Sequence, residues 1–331
     1  MSAKYKVYVS DYDYPDLAIE KSVLEPIGAE VIGLHDKTGE HLIELASDAD
    51  AILQQYAVIN RNTIEHLKNC KVIARYGIGV DILDVDACYD NGIKVTNVAD
   101  YCIDEVADQA AAYTLMLNRN LPMYSKKVHE GSYRWQDWQA PIVALRDATI
   151  GMLAFGKIAQ NYTRKMKAFG CEFLAYDPFV SESLMRSHGV KKVATKEEVL
   201  KNSHVVVVFT PYSADSHHII DEAALKLMRN DAFLICVSRG KCIDNKALYT
   251  ALKEGWIAGA GLDDPEEEPM KMEHWSPSDN PLFSLDNCFV TPHTGYVSTR
   301  TLECCRYIAA ENVKAVLLGE RPMCPVYPSK K

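Results

Sequence analysis

The chain has 331 residues, of which 48% are hydrophobic and 24% charged, a globular composition with enough apolar side chains for one large domain or two ordinary ones. Asp and Glu (45) outnumber Lys and Arg (36), and a net charge of −9 disfavours nucleic acid as a partner, because such a site needs a clustered basic surface. No apolar run is long enough to span a bilayer, and the N-terminus MSAKYKVYVS lacks the apolar region of a secretion signal, so we expect no membrane association.

Short apolar runs alternate with amphipathic stretches, the βαβ pattern of a parallel sheet covered on both faces. The first set of predicted strands comprises Lys6–Ser10, Ala29–Leu34, Ala51–Gln55, Val72–Arg75 and Lys94–Thr96. An Ala-rich segment with acidic residues at its start then predicts a long helix over Asp104–Asn120. The second set of strands comprises Thr149–Phe155, Cys171–Tyr176, His204–Thr210, Ala232–Val237, Ile257–Leu262 and Cys288–Thr291.

The long helix connects the two sets, which places a domain boundary near residue 100. A second helix is predicted over Ser298–Leu318, where no strand is left for it to cover. We therefore expect the chain to return to the first domain after Thr291. The sequence predicts an α/β protein with two doubly wound parallel sheets, the first domain being discontinuous.

A partial dinucleotide fingerprint follows the first strand of the second set. In TIGMLAFGKIAQ, Ala154 stands at the first glycine position of G-x-G-x-x-G, Gly156 at the second and Ala159 at the third. Gly156 allows a diphosphate to approach the backbone, whereas the methyl group of Ala154 is expected to shift the turn and weaken cofactor binding. Asp177 lies 21 residues after Gly156, at a strand end where a carboxylate accepts both ribose hydroxyls and repels a 2′-phosphate. NAD is predicted over NADP; the alternative is a glycine turn in another α/β protein, with a solvent-exposed Asp177.

Polar residues follow three later strands, at the edge where open α/β sheets bind ligands. Reduction of a 2-keto acid requires a cation for the carboxylate, a proton donor for the carbonyl oxygen and a group that keeps this donor protonated. Arg239 offers a planar fork, His293 changes charge near neutral pH, and Glu268 beside the imidazole would favour its protonated form.

Each of these residues has an ordinary alternative. Arg239 could be a helix-capping or surface group, Glu266–Glu268 a solvated acidic loop, and His293 one more of ten mostly ordinary histidines. The ten cysteines are scattered, with no C-x-x-C motif, which favours reduced thiols in a cytoplasmic protein and predicts no metal site.

In combination and in this order, these segments resemble the D-isomer-specific 2-hydroxyacid dehydrogenases. The likeness runs from about residue 45 to about residue 320 and is strongest to the 3-phosphoglycerate dehydrogenase and C-terminal-binding-protein branch. It is carried by ARYGIGVD (74–81), VADYCIDEVAD (98–108), the Gly156 turn, KAFG (167–170) with YDP (176–178), AGAGLD (258–263), and the segments of Arg239, Glu268 and His293.

The resemblance implies a flavodoxin-like substrate domain (1–100 with 296–331) and a Rossmann NAD-binding domain (101–295). It implies hydride transfer between a 2-keto acid and a D-2-hydroxy acid, with His293 as acid/base, Glu268 as its partner and Arg239 on the substrate carboxylate and carbonyl. The residues implied around NAD are Gly156, Lys157, Ile158, Asp177, Thr210, Val237, Ser238, Arg239, Asp263, His293 and Gly295. Those implied around the substrate are Tyr76, Gly77, Ile78, Gly79, Tyr101, Arg239 and Tyr296, with domain closure excluding water.

One departure from the family is Asp264, which stands where a small apolar residue is usual and adds a carboxylate near the nicotinamide end. The implied protein partner is a second copy, bound through the NAD-binding domain, with the helix over 104–120 and the region of Trp135 and Trp138 at the interface. Two alternatives stay open: an NAD(H)-sensing, corepressor-like interaction protein, and a compact 3-phosphoglycerate dehydrogenase without a regulatory domain.

Overall fold

The computed structural model describes residues 3–136, 142–268 and 274–328. The strands of these residues are β1 Tyr5–Val9, β2 Ala29–Gly33, β3 Ala51–Gln54, β4 Val72–Arg75, β5 Lys94–Thr96, β6 Thr149–Leu153, β7 Glu172–Tyr176, β8 Lys191–Lys192, β9 Val205–Val208, β10 Phe233–Cys236, β11 Gly259–Leu262, β12 Cys288–Val290 and β13 Pro325–Val326. The α-helices are α1 Ala18–Leu24, α2 Leu42–Leu45, α3 Arg61–His66, α4 Val85–Asp90, α5 Ile103–Asn118, α6 Leu121–His129, α7 Lys157–Met166, α8 Glu182–Ser187, α9 Lys196–Asn202, α10 Glu222–Leu227, α11 Asn245–Lys253 and α12 Thr299–Leu317.

The chain divides into two compact units, residues 1–101 with 297–331 and residues 102–296. These boundaries differ by one residue from those expected from the sequence. None of the helices in the described ranges combines the length and the apolar character needed to cross a membrane.

The first unit contains a six-stranded sheet in the order β2-β1-β3-β4-β5-β13. The first five strands are parallel and follow the flavodoxin-like order 2-1-3-4-5. Strand β13 pairs antiparallel with β5 at the sheet edge, where Pro325 is tolerated. The sequence did not predict β13, because two residues are too few to show an apolar alternation.

The second unit contains a seven-stranded parallel sheet in the order β8-β7-β6-β9-β10-β11-β12. This is the dinucleotide-binding order 3-2-1-4-5-6 with one more strand beside the sixth. Strand β9 consists of four buried valines, as expected for a strand covered on both faces. The prediction of two doubly wound α/β sheets is confirmed, although β8, two lysines without an apolar signal, was not expected.

A buried ion pair attaches α12 to the first unit. Arg306 donates from Nε to Oε1 of Glu20 at 2.9 Å and from Nη2 to Oε2 at 2.7 Å. Glu20 lies in α1 and is fully buried, and Arg306 is 6% exposed. The hydroxyl of Tyr76, just after β4, donates to the same carboxylate at 3.0 Å. Two helices and a strand end are thus joined through one carboxylate.

Replacing Arg306 with methionine leaves the Glu20 carboxylate buried without its cation, and we expect the free energy of unfolding to fall by about 3–5 kcal/mol. Lys314→Met on the same helix removes a partly exposed pair with Glu311 and should lower it by less than about 1 kcal/mol. Urea denaturation followed by circular dichroism measures both. An R306M variant as stable as K314M would contradict the structural role of the pair.

Candidate active site

The loops after β10, β11 and β12 carry Arg239, Glu268 and His293 respectively. The three strands are hydrogen-bonded neighbours and run parallel, so their carboxyl ends meet at one edge of the sheet. This edge is where doubly wound sheets bind their ligands. The topology of the second unit therefore brings together three residues that are distant in sequence. Arg239 and Glu268 are 29 positions apart, and Glu268 and His293 are 25 positions apart.

The Asp263 carboxylate joins the loops after β11 and β12. Its Oδ1 accepts hydrogen bonds from the Thr291 hydroxyl (2.7 Å) and the Thr294 amide (2.9 Å), and its Oδ2 accepts one from the Gly295 amide (2.8 Å). A Cβ atom at Gly295 would lie 2.7 Å from the same Oδ2, so this close approach requires glycine. The carboxylate assigned to the nicotinamide end is thus buried and also binds the loop of His293.

His293 faces two carboxyl groups. Its Nδ1 lies 3.6 Å from Oε2 of Glu268 and 3.8 Å from Oδ2 of Asp264. Such contacts are often longer than hydrogen bonds in unliganded enzymes and tighten when substrate binds. The residue has a φ of +53°, a left-handed conformation that the bonds of Asp263 to the flanking backbone hold in place. The Tyr296 ring packs edge-on against the imidazole at 5.9 Å between centroids.

The three glutamates of the acidic loop have different environments. Glu266 accepts a hydrogen bond from Nε2 of His218 at 2.7 Å, and Glu267 is exposed. Glu268 is buried, which excludes the solvated-loop explanation for this residue. Asp264, named from the sequence only as a departure, lies in the same buried group.

Burial raises the pKa of the Asp264 carboxyl well above its ordinary value, and the neighbouring Glu268 raises it further. The positive charge of Arg239 lowers this pKa by a smaller amount, and the negative charge of Asp263 adds to the increase. A carboxyl group of this kind keeps its proton at pH values where an exposed aspartate has lost it.

Arg239 is half-buried, and its Nη1 donates to the Ser238 carbonyl at 2.9 Å. It immediately precedes the 3₁₀-helix Gly240–Cys242. A Cβ atom at Gly240 would collide with the Pro265 carbonyl, so glycine is what lets the loop of Glu268 pack against the Arg239 segment. The side chain of Val237 is buried next to this segment.

The turn between β6 and α7 has the features of a diphosphate site. Gly156 precedes α7 with a φ of −75°, and a Cβ atom there would meet nothing within 4 Å in the described protein. Neither backbone strain nor crowding therefore requires glycine at 156. The open space at a helix N-terminus is what a diphosphate group needs, so the residues present fit NAD. Lys157 is exposed at the start of this helix and Ile158 is half-buried.

Ala154 adopts a left-handed backbone conformation, which glycine adopts without strain. Its φ is +72°, and its amide donates to the Tyr176 carbonyl at 2.9 Å. A left-handed conformation costs an alanine about 1–2 kcal/mol, so the methyl group is accommodated with strain.

Asp177 holds the same turn in place. Its Oδ2 accepts from the Phe155 amide at 2.8 Å, and its Oδ1 accepts from the amides of Phe179 (2.8 Å) and Val180 (3.2 Å). The residue is buried, unlike the solvent-exposed aspartate of the alternative explanation. A carboxylate has about four acceptor positions, so three backbone bonds leave one for a ribose hydroxyl. Thr210, further along the sheet edge, donates to the Leu153 carbonyl at 3.2 Å.

The substrate residues expected in the first unit surround the end of β4. Gly77 has a φ of +133°, and its carbonyl accepts from the Val98 amide at 2.9 Å. Ile78 is exposed and Gly79 is partly exposed, whereas the rings of Tyr76 and Tyr101 are buried. Trp138, expected at the interface, lies outside the described residues.

Residues 111–295 match the family model for the NAD binding domain of D-isomer specific 2-hydroxyacid dehydrogenases. The chain belongs to this family. It is an NAD-dependent D-2-hydroxyacid dehydrogenase, and the sequence predictions of family, enzyme class and cofactor are confirmed.

The proteins to which the dehydrogenase is similar carry the names of enzymes for different substrates. It is 35% identical over 316 residues to a D-3-phosphoglycerate dehydrogenase of Methanocaldococcus jannaschii, a match covering 95% of this chain but only 58% of that protein. It is 35% identical over 289 residues to a glyoxylate reductase of Pyrococcus furiosus, covering 86% and 84%. The D-lactate dehydrogenase of Aquifex aeolicus, solved with NAD and lactic acid, superimposes with a TM-score of 0.87 at 25% identity over 98% and 100% of the two chains.

Gly156→Ala tests the diphosphate site of the dehydrogenase. The added methyl group meets no described protein atom, so the free energy of unfolding should change by less than about 1 kcal/mol. If the diphosphate binds in this open space, the methyl group would collide with it, and we expect NADH affinity to fall by about tenfold or more. Fluorescence titration with NADH and thermal melting without it separate the two effects. Unchanged NADH affinity would contradict the assignment.

Proposed function

We propose that the enzyme interconverts a small 2-keto acid and its D-2-hydroxy acid, with His293 as general acid/base. The observation that carries this proposal is the 3.6 Å approach of the His293 Nδ1 to the buried carboxylate of Glu268. A carboxylate at this distance orients the imidazole ring for proton transfer to the carbonyl oxygen.

The two ring nitrogens have different roles in this proposal. Nδ1 is directed at Glu268 and Asp264, which leaves Nε2 to donate to the substrate carbonyl oxygen during reduction. In the oxidative direction, neutral His293 accepts the hydroxyl proton at the same nitrogen. When bound, NADH would supply the hydride for reduction, and NAD+ would accept it in the oxidative direction.

Arg239 binds the substrate carboxylate and carbonyl in this proposal. Its planar guanidinium matches a carboxylate with two parallel hydrogen bonds, and it lies at the end of β10, next to the strand that leads to Glu268. Val237 and Ser238 lie just before it, and we propose that they line the nicotinamide end of the NAD site.

His293→Ala should lower kcat/KM by about 10²- to 10⁴-fold, because the proton donor is lost. Arg239→Ala should lower it by about 100-fold, mainly through KM, because charged hydrogen bonds to the substrate disappear. NADH absorbance measures both, on the best substrate from a panel of glyoxylate, pyruvate, hydroxypyruvate, phenylpyruvate and 3-phosphohydroxypyruvate. The last compound tests the compact 3-phosphoglycerate dehydrogenase alternative.

The matched control is His66→Ala, an exposed histidine at the end of α3 whose ring bonds the Asn62 carbonyl. It should keep the activity of the native enzyme. Near-native turnover of H293A would make the acid/base assignment wrong, and so would a comparable loss in H66A.

We also propose that the dehydrogenase is a homodimer joined through its second unit. Four large apolar side chains on α6 and in the segment after it are exposed, and we take them together as an apolar patch: Leu121, Val128, Tyr133 and Trp135. Patches of this kind on soluble proteins commonly mark interaction sites, and tryptophan and tyrosine are frequent anchors of such interfaces.

Trp135→Glu places a charge in the apolar patch and should halve the mass measured by sedimentation velocity at micromolar concentration, because a buried unpaired charge opposes association. Tyr327→Glu, on an exposed aromatic residue of the first unit, is the control and should leave the mass unchanged. A native protein that sediments as a single chain would refute the dimer.

A further inference from the structure

The carboxyl group of Asp264 has an unusual environment. The side chain is 2% exposed, and no N–H or O–H group of the described residues donates to either of its oxygens. A buried ionised carboxylate without donors is strongly disfavoured, so the group must be neutral or compensated. Packing alone therefore does not explain why an aspartate is found at position 264.

Glu268 supplies that explanation. One oxygen of the Asp264 carboxyl, one oxygen of the Glu268 carboxyl and one ring nitrogen of His293 all lie within 4.8 Å of one another, and both carboxyl groups are buried. Two ionised carboxylates at this separation repel each other strongly in a buried site, so the pair is more stable when one of them carries a proton. Close carboxylates of this kind share a proton in other enzymes because both cannot ionise together.

We propose that Asp264 is a positioning residue that shares one proton with Glu268, so that the carboxyl pair presents one negative charge, not two, to His293. The proposal rests on the proposed acid/base role of His293 and extends it to a residue with no expected substrate contact. The shared proton holds the two carboxyl groups in one arrangement. The pair loses this proton at a higher pH than an isolated carboxyl group does. Once the proton has left, the pair presents two negative charges to His293.

The shared proton lies on the carboxyl pair and not on the other ionisable groups around it. Asp263 of the same loop accepts three hydrogen bonds and raises the pKa of Asp264 further. Arg239, from the loop after β10, opposes that increase without cancelling it. The thiols of Cys236 and Cys242 stay neutral, because burial and the charge of Asp264 raise the pKa of Cys236 to about 12 and shift that of Cys242 upward. On the remaining side, the loop after β12 contributes His293 and Tyr296.

Asp264→Asn keeps the shape of the side chain and removes the ionisable group. In the reductive direction, we expect the alkaline midpoint of the kcat/KM profile to fall by about one pH unit, since only one negative charge remains beside the imidazole at alkaline pH. KM at neutral pH should change by less than about twofold, because Asp264 has no substrate contact in this proposal.

Glu267→Gln is the matched control, because it removes an equal charge from the exposed part of the same loop. Its pH midpoint should equal that of the native enzyme. An equal shift in E267Q and D264N would overturn the proposal, since net charge alone would then explain the result. An unchanged midpoint in D264N would overturn it as well.

Two measurements need no substrate and test Asp264 separately from the role of His293. The native-minus-D264N infrared difference at neutral pH should contain the carbonyl band of a protonated carboxyl group. The melting temperature of D264N should exceed that of the native protein, by an amount that grows from about pH 5 to about pH 8. The sign follows because a raised carboxyl pKa stabilises the native fold at low pH and this stability is lost as the pH rises.

Asp264→Val provides a second variant without the ionisable group, should the amide of D264N disturb the loop. Absence of the protonated-carboxyl band in the native protein, or a melting difference that does not change with pH in both variants, would overturn the shared proton. If both signals occur but H293A retains turnover, the carboxyl pair stands and the acid/base assignment fails.

Discussion

The active-site edge of the second unit depends on one carboxylate. Asp263 ends β11, and its oxygens accept hydrogen bonds from a hydroxyl and two amides of the segment after β12. The amide of His293 in turn donates to the Asp263 carbonyl at 2.6 Å. These bonds hold His293 in a left-handed backbone conformation, although the residue is not a glycine. They also direct its Nδ1 towards Glu268, in the loop that follows Asp263. A single residue thereby holds the backbone on both sides of His293.

Two buried acidic residues, Glu20 in the first unit and Asp264 in the candidate site, have opposite electrostatic surroundings. Glu20 is fully buried and accepts hydrogen bonds from Arg306 and Tyr76, so its charge is matched by a cation. Asp264 is almost as buried, but a group within 4.8 Å of its carboxyl oxygen is another acid, Glu268. Paired charges stabilise a fold when their geometry is good, whereas an acid beside an acid is a source of instability. Such instability is typical of catalytic sites, where altered proton affinity is useful.

The fold was predictable where the sequence pattern is strong. The four valines of β9, the Ala-rich α5 and the amphipathic α12 each carry a periodic signal over a full element. The two-residue strands β8 and β13 carry none, since they depend on pairing with β7 and β5 and not on their own residues. Gly156, Arg239, Glu268 and His293 were proposed as site residues from motifs and strand ends, and that assignment stays a prediction. The buried Glu20–Arg306 pair was not predicted, because its partners are brought together only by the tertiary fold.

Asp263 and Asp177 illustrate a finer limit of sequence reasoning. Both were assigned to the cofactor from their positions, and both use their carboxylates to tie neighbouring loops together. Spacing shows where an acidic residue falls relative to a strand, but the hydrogen bonds that it accepts depend on backbone amides from other segments. Asp264 differs from both: it was visible as an unusual residue, yet its burial beside Glu268 follows only from the path of the loop.

The position of Arg306 also has a consequence for synthesis on the ribosome. The two partners of the buried ion pair are separated by 286 residues, and the whole of the second unit lies between them. Translation proceeds at about 5–20 residues per second, so Glu20 waits for its cation while the entire nucleotide-binding unit is made. The first unit therefore cannot form this ion pair until α12 has been synthesised. The unit that begins first along the chain is the last to be completed.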